Sequence, residues 1–136
     1  ILFICIGNSC RSPMAESIAR SLGGDEVEAI SAGLAPLGWI AAQTIAALDS
    51  LGYETRGLAS KGLDAVEIDE SDIIVSLLGK NGLDHIPHGG RAHREAWSIP
   101  DPFGEDEEMY LSVARQLEDR IRHLLAQESE TELFPS

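Results

Sequence analysis

The stretch Ile1-Leu2-Phe3-Ile4-Cys5-Ile6-Gly7-Asn8-Ser9-Cys10-Arg11-Ser12-Pro13 decides the fold. Ile1 to Cys5 is apolar at every position, the pattern of a strand buried on both faces of a parallel sheet. The run breaks into a loop holding a glycine and an asparagine, both tolerant of unusual backbone angles. Ser12-Pro13 then marks a helix start, with serine at the N-cap and proline at the first helical position, where a missing N–H is no loss. The helix is expected from Pro13 to Leu22, stopped by Gly23-Gly24.

Outward from this unit the alternation continues. Val27 to Ser31 predicts a second strand and Ile40 to Leu51 an Ala-rich helix closed by Gly52. Ile73 to Leu78 predicts a third strand, followed by a weak helix from Gly79 to Ile86. Trp97 to Ile99 predicts a short fourth strand. A last helix is expected over Glu105 to Gln127, through Met109, Val113, Leu117, Ile121 and Leu124. Alternating strands and helices give an α/β class: three layers, α/β/α, around a central, mostly parallel four-stranded sheet with a phosphate-binding loop after its first strand. No repeat or linker interrupts residues 1–127, which are expected to form a single domain, while 128–136 is a polar, frayed tail.

At 136 residues and 43% hydrophobic composition the chain can bury a core without staples. Its formal net charge of −13 argues against nucleic-acid and anionic-membrane binding, both of which need a basic footprint. The apolar runs fall well short of the roughly 20 residues of a membrane span, and no signal-peptide series is present. A cytoplasmic protein is expected.

In open parallel sheets ligands bind outside the carboxyl ends of the strands, which directs attention to Cys5 to Ser12. A glycine-bearing turn at a helix N-terminus presents unpaired backbone donors and the positive end of the helix dipole to one spot, a cradle for a tetrahedral oxyanion. Ile6, Gly7, Asn8, Ser9 and Cys10 would form its wall. Arg11 would fork two hydrogen bonds onto phosphate oxygens, a geometry lysine lacks. The donors that hold a dianion would also stabilise a thiolate at Cys5, and Ser12 would add a hydrogen bond to the sulfur. The implied chemistry is thiolate attack on phosphorus, with a cysteinyl-phosphate later broken by water.

Cys5 as a small buried hydrophobe and Arg11 as a surface residue is the plainer alternative, and the strand before, Gly-Asn within and Ser-Pro after weigh against it. Cys5 and Cys10 as a structural disulfide, or as half of a metal site, fit less well than catalysis. Cys10 is also placed to trap an oxidised Cys5 as a reversible disulfide.

The leaving atom needs a proton. Asp101 in Ile99-Pro100-Asp101-Pro102-Phe103-Gly104 follows the fourth predicted strand, and its flanking prolines hold the segment extended. A turn aspartate is the ordinary reading of such a residue. The cysteine loop tips the balance to a general acid, since Asp64, Asp69, Asp72 and Asp84 lack the rigid setting with Phe103 as an apolar wall.

At these residues the chain resembles the low-molecular-weight protein tyrosine phosphatase family, which includes bacterial protein arginine phosphatases and arsenate reductases. The resemblance rests on Phe3 to Glu16, on Ser31-Ala32-Gly33 and on Asp101-Pro102-Phe103-Gly104, in the family's order across nearly the whole chain. It implies Cys5 as nucleophile, Arg11 as phosphate clamp and transition-state stabiliser, and Asp101 as general acid and then base. It further implies that Asn8 shapes the loop, that Ser12 supports the thiolate, that Trp39 borders the pocket, and that no cofactor or metal is required. A phosphorylated protein substrate, with phosphotyrosine favoured and basic surroundings preferred, and inorganic phosphate as product are the expected partners.

Three departures bear on substrate. Ser9 stands where tyrosine phosphatases often carry isoleucine and arginine phosphatases threonine; Asp-Pro-Phe-Gly and Tyr110 also lean toward the arginine phosphatases. After Cys10 there is no further cysteine, so a three-cysteine arsenate relay is closed, leaving a reductase coupled to an external thiol, or a phosphate-binding module, as alternatives. His85, His88 and His93 are expected to be exposed loop residues, and the acids between Gly104 and Glu108 to favour the start of the last helix.

Overall fold

The computed structural model describes residues 1–87 and 90–129. Four strands form one sheet: β1 (Leu2–Cys5), β2 (Ile30–Gly33), β3 (Ile73–Ser76) and β4 (His93–Ala96). The spatial order is β2-β1-β3-β4, and all three pairings are parallel. Four helices accompany it: α1 (Arg11–Gly23), α2 (Ala42–Ser50), α3 (Lys80–Leu83) and α4 (Glu107–Ser129). The expected α/β architecture is present.

The pleat explains the layers. Successive side chains of a strand point to opposite faces, so Phe3, Cys5, Ile73 and Val75 join the core under α1, α2 and α4, with Ile18, Val113, Leu117 and Ile121. Leu2, Ile4 and Ile74 face the other way, into a smaller cluster with Ile86, Leu63, Val66 and Ile68. That second face is covered by the single turn of α3 and two 3-10 turns, Leu63–Ala65 and Ile68–Glu70. The three-layer arrangement therefore has one thick helical layer and one thin one.

Most boundaries shift by a residue or more from expectation, and four of the differences change how an element is read. Helix α1 begins at Arg11, so Ser12 is not its N-cap and Pro13 stands third; Cys10 precedes the helix with no side-chain cap. The N–H that Pro13 lacks is still one of the unpaired first four. Strand β2 starts at Ile30, because Gly24–Glu26 forms a 3-10 turn whose end is Val27. The fourth strand is His93–Ala96 and not Trp97–Ile99. Beyond Ala96, β3 has already turned at Gly79 (φ 77°), leaving one antiparallel bridge between Leu78 and Ser98. His93 thus lies in a strand, paired with Glu95 at 3.0 Å. Finally α4 runs to Ser129, two residues into the expected tail; residues 130–136, like His88, lie outside the described residues. No helix among the described residues is long and apolar enough to cross a membrane.

Candidate active site

The loop from Ile6 to Cys10 leaves the carboxyl end of central strand β1 and enters α1. Its carbonyls are tied outward: those of Cys5, Ile6, Gly7 and Ser9 accept from the N–H groups of Leu34, Ala35, Leu37 and Ala41 at 2.8–3.2 Å. The hydroxyls of Ser60 and Thr44 add bonds to the carbonyls of Gly7 (3.0 Å) and Ser9 (2.8 Å). Among the described residues, the N–H groups of Gly7, Asn8, Ser9, Cys10 and Arg11 donate to no protein acceptor. Carbonyls held away and amides left for a ligand are the makings of an anion site, reinforced by the N-terminus of α1.

Asn8 organises the loop. Its backbone is left-handed, with φ 47°, a conformation asparagine tolerates better than most residues. Its buried amide donates to Ser12 Oγ at 2.7 Å and Ser31 Oγ at 2.9 Å, while its Oδ1 accepts from the Lys61 N–H at 2.8 Å. Because Asn8 donates to the Ser12 oxygen, the Ser12 proton remains for Cys5 Sγ, 2.9 Å away. Ser31 passes its own proton to Glu16 Oε1 at 2.7 Å. Glu16 is a buried carboxylate paired with Arg20 and, at 3.9 Å, with Lys61. A continuous chain of hydrogen bonds therefore connects the Cys5 sulfur to the buried Glu16 carboxylate, whose partner Arg20 reaches solvent.

The reactive groups converge around a cavity of about 170 Å³ lined by Cys5, Ile6, Gly7, Ser9, Cys10, Arg11, Leu37, Asp101 and Phe103, among others. One end of the Arg11 guanidinium is anchored, Nη1 donating to the Ile99 carbonyl at 3.0 Å and facing the Leu77 carbonyl at 3.4 Å. Its Nη2 lies 3.7 Å from Asp101 Oδ2. The other Asp101 oxygen accepts the Phe103 N–H at 3.0 Å, which fixes the carboxylate at the mouth. Trp39 is not in the lining; it stands outside with its ring 6.2 Å from that of Phe103.

Cys10 faces the core side of the loop, 3.6 Å from Tyr110 Oη. Burial pushes its thiol up from the ordinary range, with the Asp101 charge adding to the effect, so Cys10 stays protonated at neutral pH. Ser9 Oγ is buried without a hydrogen-bond partner in the structure.

The structure thus brings together Cys5, Ile6, Gly7, Ser9, Cys10, Arg11, Asp101 and Phe103, with Asn8 and Ser12 behind them and Trp39 at the rim. Sequence reasoning assigned no part to Thr44, Ser60 or Lys61, saw Glu16 and Ser31 only as members of the motifs, and read Tyr110 only as a pointer to substrate. Ser31-Ala32-Gly33 was the available signal. A Cβ on Gly33 would lie 2.6 Å from the Ile6 carbonyl oxygen and 2.9 Å from the Asn8 nitrogen, so only glycine lets the loop rest on β2. Among the described residues no cluster of three potential metal ligands occurs.

A thiol under a ring of free amides, with an arginine and a carboxylate at the mouth, is an arrangement suited to a tetrahedral oxyanion and marks the candidate site. The profile of the family described as low molecular weight phosphotyrosine protein phosphatase matches residues 1–133, and the chain belongs to that family. It is 31% identical over 127 residues to the glutaredoxin arsenate reductase of Synechocystis, covering 93% of this chain and 95% of that protein. It is 33% identical over 135 residues to the arsenate reductase of Bacillus subtilis, with coverage of 96% and 95%. Among solved structures, an arsenate reductase in the phosphate binding state superposes with a TM-score of 0.80 at 28% identity, covering 93% and 95%. The Escherichia coli K30 tyrosine phosphatase Wzb, in complex with sulphate, superposes at 0.82 with 23% identity and the same coverage, a likeness of fold.

Proposed function

We propose that the chain hydrolyses phosphate monoesters of protein side chains, phosphotyrosine foremost. The observation that carries this is the Asp101 carboxylate fixed at the mouth of a cavity in which Cys5 sits beneath free amides. The Cys5 thiolate attacks phosphorus as the bond to the leaving oxygen breaks, and Asp101 supplies the proton that oxygen needs. Arg11 and the amides from Gly7 to Arg11 hold the equatorial oxygens, where charge develops. Water then attacks the cysteinyl-phosphate, Asp101 takes its proton, and inorganic phosphate leaves with the thiolate restored. The exposed rings of Trp39 and Phe103 suit an aryl group. The test is aryl phosphate turnover by the native chain and by Cys5→Ser; activity that survives the substitution sinks the reading.

Two other readings each have a supporting observation. The unpartnered Ser9 hydroxyl on the cavity wall suits a substrate N–H and so favours phosphoarginine. If native enzyme turns over phosphotyrosine peptides far faster than phosphoarginine peptides, and Ser9→Ile changes neither, that reading fails. Arsenate reduction is favoured by the relatives' names. With cysteines only at positions 5 and 10, a Cys5-bound arsenic would take its two electrons from Cys5 and an external thiol, leaving a mixed disulfide and arsenite. Thiol-dependent arsenite formation tests it.

A further inference from the structure

Beside the catalytic cavity lies a second, larger depression of about 630 Å³, open on one side. The two share three wall residues: Ile6, Arg11 and Asp101. The remaining wall is mostly aliphatic, from Leu34, Leu78, Ile99 and Pro100, and the exposed side chains of Asn81 and His85 form its rim. It lies where α3 meets the loop after β4, and none of the proposed chemistry uses it.

We propose that this groove is a subsite for a large apolar side chain close in sequence to the phosphorylated residue, so that the substrate is a polypeptide and not a small phosphometabolite. The inference rests on the phosphatase reading and deepens it. Asp101 belongs to both cavities, and its carboxylate must meet the leaving oxygen, so the body of the leaving group passes its side of the mouth. A chain attached there crosses the divide made by Ile6, itself 50% exposed, and its neighbouring residue meets the aliphatic wall. Shared walls place the two cavities one side chain apart, a spacing an extended peptide bridges within two residues. An aliphatic lining rewards an apolar occupant, whereas Asp101 at the divide repels an acidic one.

The test compares kcat/KM for phosphotyrosine peptides carrying Leu, Phe, Ala or Asp at each position within two residues of the phosphotyrosine, with p-nitrophenyl phosphate as the small substrate. Native enzyme should favour Leu or Phe over Asp at one of these positions by about tenfold or more. Asn81→Trp and His85→Trp fill the groove from its rim and should abolish that preference while leaving p-nitrophenyl phosphate turnover within about twofold. A flat profile in the native enzyme, or a preference untouched in both variants, overturns the subsite and leaves the phosphatase standing. Failure to turn over p-nitrophenyl phosphate through Cys5 removes the phosphatase reading and the subsite with it.

Discussion

Asn8 carries two burdens that substitution can separate. Its side chain satisfies Ser12, Ser31 and the Lys61 N–H, and its backbone holds the turn at φ 47°. Asn8→Gly keeps the backbone permissive and deletes only the side-chain bonds; Ser12 then loses the partner that aims its proton at Cys5. Losing one hydrogen bond to a charged group costs about 1.5–3 kcal/mol, so aryl phosphate turnover should fall by at least about tenfold. Asn8→Ala should match that loss in turnover and add about 1–2 kcal/mol of instability from the strained backbone. Urea melts of the two variants supply the comparison, and equal stability would show that the backbone angle is incidental. Glu16→Gln probes the far end of the same chain of bonds. A neutral amide in a buried pocket facing Arg20 and Lys61 leaves both cations without their counter-charge. Stability should fall, and turnover with it if the bonds from Glu16 to Ser12 act as one unit.

At the scale of elements, the loop is a tenant of its neighbours. Strand β2 contributes no reactive group, but Gly33 gives the loop room and Ser31 gives it a bond. Gly33→Ala should push the backbone at Ile6 and Asn8 outward and reduce turnover more than it reduces the thermal midpoint, measurable in one preparation. Elements with strong local signals were legible: the apolar runs of β1 and β3, the periodicity of α4, and glycine after α2 at Gly52. Strand β4 was not, because His93-Arg94-Glu95-Ala96 is polar, as suits an edge strand with pairing on one side only. The apolar signal of Trp97 and Ile99 belongs instead to core contacts beyond the strand's end, with the Trp97 ring 6.2 Å from Phe3. The Ser-Pro start signal failed at α1 for a related reason, since the Ser12 hydroxyl is engaged by Cys5 and Asn8 and not by the helix's own N–H groups. The convergence of Cys5, Arg11 and the loop between them was readable because the proposed chemistry demands particular side chains at short spacing. Among their supporters, Thr44, Ser60 and Lys61 come from distant segments where no local pattern announces them, and Ser31 was marked only by its place in the Ser-Ala-Gly motif.

For the whole molecule, two consequences follow from where charge and burial lie. The chain has two tyrosines, and both hydroxyls are pushed up from the ordinary value of 10.0, Tyr53 to about 12 and Tyr110 further, chiefly by burial. Tyr53 donates to Glu118 and Tyr110 meets Cys10. Below pH 10 both states of the protein keep these groups neutral and their contribution to stability is intact. Above it the unfolded chain ionises first and binds fewer protons than the native state, so stability falls as pH rises toward 12. Tyrosinate absorbance should therefore stay flat through pH 10 and rise in a step that coincides with unfolding; an early, gradual rise would contradict the burial. The second consequence concerns partners. A formal charge of −13 surrounds a site whose own field comes from Arg11, backbone amides and a helix end. The large exposed hydrophobic residues among those described, Ile6, Leu37, Trp39 and Phe103, belong to the cavity wall, its rim or the segments bonded to its loop. On the proposed reading, such a surface in an acidic molecule should attract a basic polypeptide at long range and hold it by apolar contact at short range. Raising ionic strength from about 0.01 to about 1 M shortens the screening length from about 30 to about 3 Å. KM for a lysine-rich phosphopeptide should rise several-fold over that range. The corresponding change for p-nitrophenyl phosphate should be small, because its contacts lie inside the cavity and within a few ångströms of Arg11.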